Sequence, residues 1–248
     1  MNSKKRLIVT NDGSATLFSR EFNESYHSTR DGALVESLQK HVIPAFSFHQ
    51  EKKEVKILDI CFGLGYNVLA TLYYLKKNSI STKVHIVSPE FDEPLIRSLI
   101  SFEYPVEFDE LKPIITQLSQ EFYYEDEQFK IEILIGDARE TIPNIRDKFD
   151  IIYQDAFSPK QNPMLWTREY FADIRAISSD DVILTTYSTA ISTRMGLYEN
   201  GFYIFLHHGE GTRPSTLASP LMLDCEYIDM ELKKKRNLNA SSLRDKFP

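Results

Sequence analysis

The chain is short of the residues on which several kinds of chemistry depend. Among its 248 residues there are two cysteines, Cys61 and Cys225. Two thiols give neither a disulfide framework nor a thiolate metal set. No apolar run approaches the roughly 18 to 20 residues that span a bilayer. The basic start, Lys4-Lys5-Arg6, is followed only by Leu7-Ile8-Val9 before Asn11-Asp12-Gly13. That is too little for the apolar core of a secretion signal. Positive charge is also scarce. The 29 Lys and Arg stand against 36 Asp and Glu, a net charge of −7, which excludes a protein that coats nucleic acid through charge alone. Repeats and low-complexity segments are absent. What remains is the composition of a cytosolic globule with reduced thiols, long enough for one large α/β domain or two small ones.

What is present is organised around residues 55–67. Val55-Lys56-Ile57-Leu58-Asp59-Ile60 is a short apolar run with β-branched residues, the pattern of a buried strand. It breaks at Phe62-Gly63-Leu64-Gly65. From Asn67 onward, Val68, Leu69, Leu72 and Leu75 fall on one helical face. Strand, glycine turn and helix in that order begin a nucleotide-binding βαβ unit. The dinucleotide fingerprint G-x-G-x-x-G would need glycine at position 68, which is Val. The pattern Asp59-x-x-x-Gly63-x-Gly65 resembles instead motif I of the class I S-adenosylmethionine methyltransferases, with Cys61 where a first glycine stands.

The rest of the chain extends this unit. Asn11-Asp12-Gly13 between two apolar runs signals an N-terminal β-hairpin. Residues 22–32 are polar and aromatic without a period, and either cover a pocket or connect elements. Leu34, Leu38, Val42 and Ile43 predict a helix stopped by Pro44. Lys83–Glu90 is a second strand, and Glu90 lies 25 positions after Gly65. A carboxylate at that strand tip accepts from ribose hydroxyls in doubly wound folds. Residues 94–129 form an acidic insertion with helical pieces at 95–102 and 111–122. Strands follow at 130–135, at Phe149–Gln154 and at 181–188. The first ends in Gly136-Asp137-Ala138 and the second in Asp155. A helix over Ile191–Glu199 closes at Asn200-Gly201, and 202–206 with 215–218 make a terminal antiparallel pair. Residues from 232 onward, with Lys233-Lys234-Lys235-Arg236, read as a charged tail, either solvated or a binding patch.

The glycine turn, Glu90, Asp137 and Asp155 thus all fall at carboxyl ends of strands, where open α/β sheets bind ligands. The fold expected is α/β and Rossmann-like, a mixed seven-stranded sheet with helices on both faces. It comprises an N-terminal hairpin and helix (1–48), a main domain (49–230) and a tail (231–248). Methyl transfer needs no metal and no protein nucleophile, because the cofactor carries the reactivity. Asp155 is the natural acceptor for a hydrogen bond or proton from an attacking amine. Phe157 and Trp166 either stack on a base or belong to the core. His207 and His208 are assigned no chemistry.

Phe62-Gly63-Leu64-Gly65-Tyr66-Asn67, Ser88-Pro89-Glu90, Gly136-Asp137 and the run from Asp155-Ala156-Phe157 to Pro163-Met164-Leu165-Trp166-Thr167 closely resemble the methyltransferase domain of the tRNA 5-methylaminomethyl-2-thiouridine biosynthesis protein. Ser19-Arg20-Glu21-Phe22-Asn23-Glu24-Ser25-Tyr26 adds to the resemblance, which spans about residues 5–220. It implies methylation of the exocyclic amine of 5-aminomethyl-(2-thio)uridine at the wobble position, in the anticodon stem-loop of tRNA. By position it implies Asp155 as catalytic carboxylate. Tyr26, Phe62, Gly63, Gly65, Asn67, Glu90, Gly136, Asp137, Ala138 and Asp155 would hold S-adenosylmethionine. Phe157, Lys160, Asn162, Trp166 and Tyr187 would meet the substrate. The family occurs fused to an FAD-dependent oxidase or alone, and this chain resembles the stand-alone form, with a separate oxidase or other wobble-uridine enzymes as partners. The family's basic stretch near its end is here Gly209-Glu210-Gly211-Thr212-Arg213-Pro214-Ser215. Contacts to tRNA would then fall to a rim of Arg20, Arg30, Lys160, Arg168 and Arg213. An aminopropyltransferase of the spermidine-synthase type shares the fold and is the alternative.

Overall fold

The computed structural model describes residues 5–245, so Lys4 and the last three positions of the 231–248 segment lie outside the described residues. The chain opens with β1 (Lys5–Val9), β2 (Ala15–Ser19) and the short β3 (Glu24–Ser25), an antiparallel sheet in that order. The Asp-Gly turn joins β1 to β2, as its chemistry requires. Asp12 does more than turn the chain. It accepts from Thr10 Oγ1 at 2.6 Å, from the Ser14 N–H at 3.0 Å and from the Val35 N–H at 3.0 Å. Ser14 Oγ takes the Ala33 N–H at 3.0 Å. The helix over residues 33–46 starts at Gly32, which has no side chain to cap it, so the hairpin supplies the caps. Gly32 is required there. Its φ is +91°, and a Cβ would lie 2.0 Å from Asp12 Cγ.

Pro44 does not stop this helix, contrary to the sequence reading. Ser37–Val42 is a π-helical segment, and Pro44 falls in the first turn of the α-helical Ile43–Phe46. The widened turn shifts the bonding to i−5, as in Ile43 N–H to Leu38 O, away from the usual clash at i−4. The Gln39 carbonyl, which a residue at 44 would otherwise serve, accepts from His207 Nε2 at 2.8 Å.

The main sheet contains β4 (Glu54–Ile60), β5 (Lys83–Glu90), β6 (Tyr123–Glu125), β7 (Phe129–Ile135), β8 (Phe149–Gln154), β9 (Ser178–Thr186), β10 (Tyr203–His207), β11 (Ser215–Ser219) and β12 (Glu226–Tyr227). Their order is β12-β10-β11-β9-β8-β4-β5-β7-β6, nine strands where seven were expected. The two additions, β6 and β12, are the short edges. The five central strands β9-β8-β4-β5-β7 run parallel, and the outer ones are antiparallel. Pleating sends Val55 and Ile57 of β4 to one core and Leu58 and Ile60 to the other. Each is fully buried, contributing about 1.5–3 kcal/mol. The helix Tyr66–Lys77 packs on the first face, Arg168–Ala176 and Ile191–Glu199 on the second. The 94–129 segment joins the first core through Leu95, Phe108, Ile115 and Leu118.

The C-terminal segment is not a loose tail. After the helix Met230–Arg236, which carries the basic cluster, the chain returns across the second face. Leu243 bridges to Thr167, Arg244 pairs with Glu169 at 2.6 Å, and Asp245 pairs with Arg139. No helix among the described residues is long and apolar enough to cross a membrane.

Asp12→Ala is expected to lower the unfolding free energy by about 1–2 kcal/mol in denaturant titrations. Burial pushes the Asp12 carboxyl up, but the Ser14, Thr10 and Val35 donors outweigh it and hold it below its usual value. Its contribution is therefore present above the unfolded carboxylate pKa of about 3.9 and lost as pH falls through the folded value. The gap to Asp12→Asn should close in acid; a gap constant down to pH 3 would contradict the assignment.

Candidate active site

The strand order reverses between β4 and β8, and the site lies above the carboxyl ends there. At the end of β4 the backbone makes three left-handed steps, Cys61 at φ +66°, Gly63 at +55° and Gly65 at +74°. Cys61 adopts a left-handed conformation that favours glycine, which for an L-residue costs on the order of 1–2 kcal/mol. The Gly63 N–H donates to Glu90 Oε2 at 2.8 Å, and a Cβ there would press on the Tyr26 ring at 3.3 Å. Gly65 starts the helix Tyr66–Lys77 beneath the Phe62 ring, with no room for a Cβ.

Glu90 ends β5 and is buried. Its Oε1 accepts from the Asp92 N–H at 2.7 Å. Burial raises its pKa against these backbone donors. Asp137 follows β7, with Oδ1 accepting from the Arg139 N–H at 2.8 Å. Asp155 follows β8. Its Oδ2 accepts from Asn67 Nδ2 at 2.9 Å. Burial pushes this carboxyl up, but His41, His27 and Asn67 prevail and hold it below the usual range. Asp59, behind them on β4, accepts from Ser88 Oγ at 2.9 Å, and burial pushes it up to about 8.

A cavity of about 1000 Å³ joins these tips. Tyr26, Phe62, Gly63, Asn67, Glu90, Gly136, Asp137, Ala138 and Asp155 line it, and so do Phe157, Asn162 and Tyr187 on the substrate side. Such a volume lies at the upper end for small-molecule sites and leaves room for a second ligand. The loop after Asp155 is pinned at each step. Tyr187 Oη donates to Ala156 O at 2.9 Å, Trp166 Nε1 to Phe157 O at 2.7 Å, and the Ser158 N–H to Glu24 Oε2 at 2.8 Å. Phe22 stacks on Phe157 with centroids 4.4 Å apart and planes at 18°.

Three expected site residues stand off the cavity wall. Trp166 is fully buried against Phe171 and Tyr187, so it orients Phe157 instead of stacking on a base. Gly65 serves the turn behind the wall. Lys160 is exposed on the loop outside. The sequence reading missed Phe22, Phe91, His27 and His41. Phe22 lay in the aromatic stretch already noted. Phe91 follows Glu90 and is 79% exposed at the mouth. His27 lay in the same stretch as Phe22, and His41 gave no signal, because a buried histidine beside Leu38 and Val42 reads as one more helix-face residue.

The donor set suits a nucleoside bearing an amino acid. Glu90 keeps lone pairs beyond those given to its two N–H donors, as ribose hydroxyls need. Asn67 Oδ1 is buried on the cavity wall without a partner. Its Nδ2 faces Asp155 and Asp59, at 2.9 and 3.4 Å, so the free oxygen presents an acceptor to an ammonium. Fold and site together define a class I S-adenosylmethionine-dependent methyltransferase.

The comparisons agree. The family of S-adenosyl-L-methionine-dependent methyltransferases matches residues 108–220. The crystal structure of MNMC2 from Aquifex aeolicus aligns with a TM-score of 0.84 and 30% identity, covering 98% of this chain and 79% of that one. The chain belongs to this MnmC-related family of methyltransferases. An uncharacterized protein of Methanocaldococcus jannaschii is 32% identical over 199 residues, 80% of this chain and 54% of that protein. The tRNA 5-methylaminomethyl-2-thiouridine biosynthesis bifunctional protein MnmC of Aeromonas salmonicida is 25% identical over 223 residues, 82% of this chain and 33% of that protein. The chain therefore spans about half and a third of the length of these two relatives.

Glu90→Gln should weaken S-adenosylmethionine binding at least tenfold by calorimetry, since a lost charge-assisted hydrogen bond costs about 1.5–3 kcal/mol. Wild-type affinity in the folded variant would remove Glu90 from the cofactor site.

Proposed function

We propose that this chain methylates the exocyclic primary amine of 5-aminomethyl-(2-thio)uridine at the wobble position of tRNA, giving 5-methylaminomethyl-(2-thio)uridine. The observation that carries the reading is the Asp155 carboxylate, almost buried at the β8 tip in the same cavity as Glu90 and the glycine turn. The relatives named for this modification supply the substrate class.

When bound, S-adenosylmethionine supplies an activated methyl group. The protein's share is to bring a neutral amine into line with it. An ammonium has no lone pair, so one proton must leave before attack. Asp155 is held ionised and accepts that proton or the hydrogen bond that orients the nitrogen. Asn67 fixes one oxygen of the carboxylate. Phe157, backed by Phe22 and anchored through Trp166, offers a face for the uracil ring. Asn162 lies on the same wall within reach of a polar edge. Arg30 and Arg213 on the wall and the exposed Lys160 outside it are cations available to a phosphate backbone.

The test is transfer of a labelled methyl group to tRNA from cells lacking this gene, with the nucleoside identified by mass spectrometry. The expected product is 5-methylaminomethyl-(2-thio)uridine. Asp155→Ala should lower turnover by about 10²–10⁴-fold while S-adenosylmethionine affinity stays within threefold. Inert tRNA, or an active Asp155→Ala enzyme, would overturn the assignment; an aminopropylated amine formed when decarboxylated S-adenosylmethionine and a small polyamine are supplied instead would point to the spermidine-synthase chemistry.

A further inference from the structure

The wall beneath Asp155 contains a histidine that the mechanism above does not use. His41 is fully buried, with 0% exposure. Its Nδ1 lies 2.9 Å from Thr185 Oγ1 on β9, and its Nε2 lies 3.6 Å from Asp155 Oδ1 with no hydrogen-bond partner. The Tyr153 ring holds it edge-on at 5.7 Å.

The tautomer follows from the chemistry of the two ends. An ionised carboxylate only accepts, so an attractive contact needs the hydrogen on Nε2. Nδ1 then accepts, and the Thr185 hydroxyl donates to it. Thr185 thereby fixes the ring in one tautomer, much as second partners fix imidazoles elsewhere. The π-helical segment is what permits this. It lets neighbouring side chains both point inward: Lys40 Nζ reaches Asp31 at 2.7 Å and Glu36 at 2.8 Å, while His41 reaches Asp155. Single π turns concentrate at functional sites for this kind of reason.

We propose that His41, set in its tautomer by Thr185, is the positioning residue of Asp155, holding the free carboxylate oxygen in place and the group ionised for the incoming amine. This rests on the reading of Asp155 as the amine's acceptor. The groups that face Asp155 come from every element around it: His41, His27, Asn67, Asp59, Cys61 and Tyr187. Burial keeps Asp59 and the Cys61 thiol protonated and lowers His27. Tyr187 Oη is committed to Ala156 O. Asn67 bonds one carboxylate oxygen, and His41 faces the other at 3.6 Å.

Three variants isolate the contact. His41→Phe keeps a buried ring and removes the donor, His41→Gln restores a donor near the Nε2 position, and Thr185→Val removes the hydroxyl at equal volume. The substrate-free readout is the ¹³C-carboxylate titration of Asp155 in the cofactor-bound protein, assigned with Asp155→Asn. His41→Phe should raise the Asp155 midpoint by at least one pH unit, and His41→Gln should recover part of the shift. On tRNA, the acid limb of the kcat profile should move up by the same amount, with KM changed less than threefold. A folded His41→Phe protein with an unmoved Asp155 midpoint overturns the proposal. If that variant does not fold, ¹⁵N shifts decide: protonated Nε2 in the wild type, disturbed by Thr185→Val, supports the proposal, and protonated Nδ1 overturns it. A midpoint that moves in a protein inert toward tRNA would leave the positioning role intact and reject the substrate.

Discussion

Everything at this site depends on keeping acidic groups close together at the tips of parallel strands without letting them all ionise. Asp59, Glu90 and Asp155 are each largely buried, and Asp59 feels both of the others. Three unpaired charges there would cost several kcal/mol apiece in desolvation and repulsion. The fold resolves this differently at each position. Asp59 is kept protonated near neutrality and rests on Ser88. Glu90 is fed by two backbone N–H groups. Asp155 receives Asn67 and faces His41. Asn67 lies between two of the carboxylates, and its amide lets one stay neutral while the other carries charge. The result is a graded set, with an ionised group placed where an amine must lose a proton.

The same constraint explains the elements around the sheet. A glycine turn brings the Gly63 N–H onto Glu90, which fixes the acceptor at the β5 tip. The N-terminal hairpin caps the helix over 33–46, and that helix delivers His41 beneath Asp155. The 22–32 segment is anchored to the helix by the Ser28 N–H on Glu36 at 2.7 Å and to the opposite loop by Glu24. It thus closes the cavity from the side that the sheet leaves open. Stability and chemistry share these contacts, so the hairpin belongs to the site although it lies outside the nucleotide fold.

Much of this was legible in the sequence because the signals are local. Alternating apolar runs placed β4, β5, β7, β8 and β9, and the Asp-Gly pair placed the hairpin. Carboxylates at strand ends could be assigned to one crevice from topology alone. What escaped were features set by tertiary contact. The π turn that carries the helix past Pro44 depends on His207 taking the Gln39 carbonyl. The short edge strands β6 and β12 carry too few residues to show a period. The docking of residues 237–245 rests on single pairs such as Arg139 with Asp245. Trp166 reads from its neighbours either as a stacking platform or as core, and its indole N–H meets a backbone carbonyl in the core. His41 had no signal because its importance comes from an atom 114 positions away, Asp155 Oδ1 (155 − 41).

The account is tested most directly by a crystal structure of the protein with S-adenosylhomocysteine. The ribose hydroxyls should lie on Glu90, the adenine beside Asp137 and the α-amino group within reach of Asn67 Oδ1, with the sulfur directed toward Asp155. A nucleoside bound elsewhere, or lying with its sulfur turned away from Asp155, would contradict it.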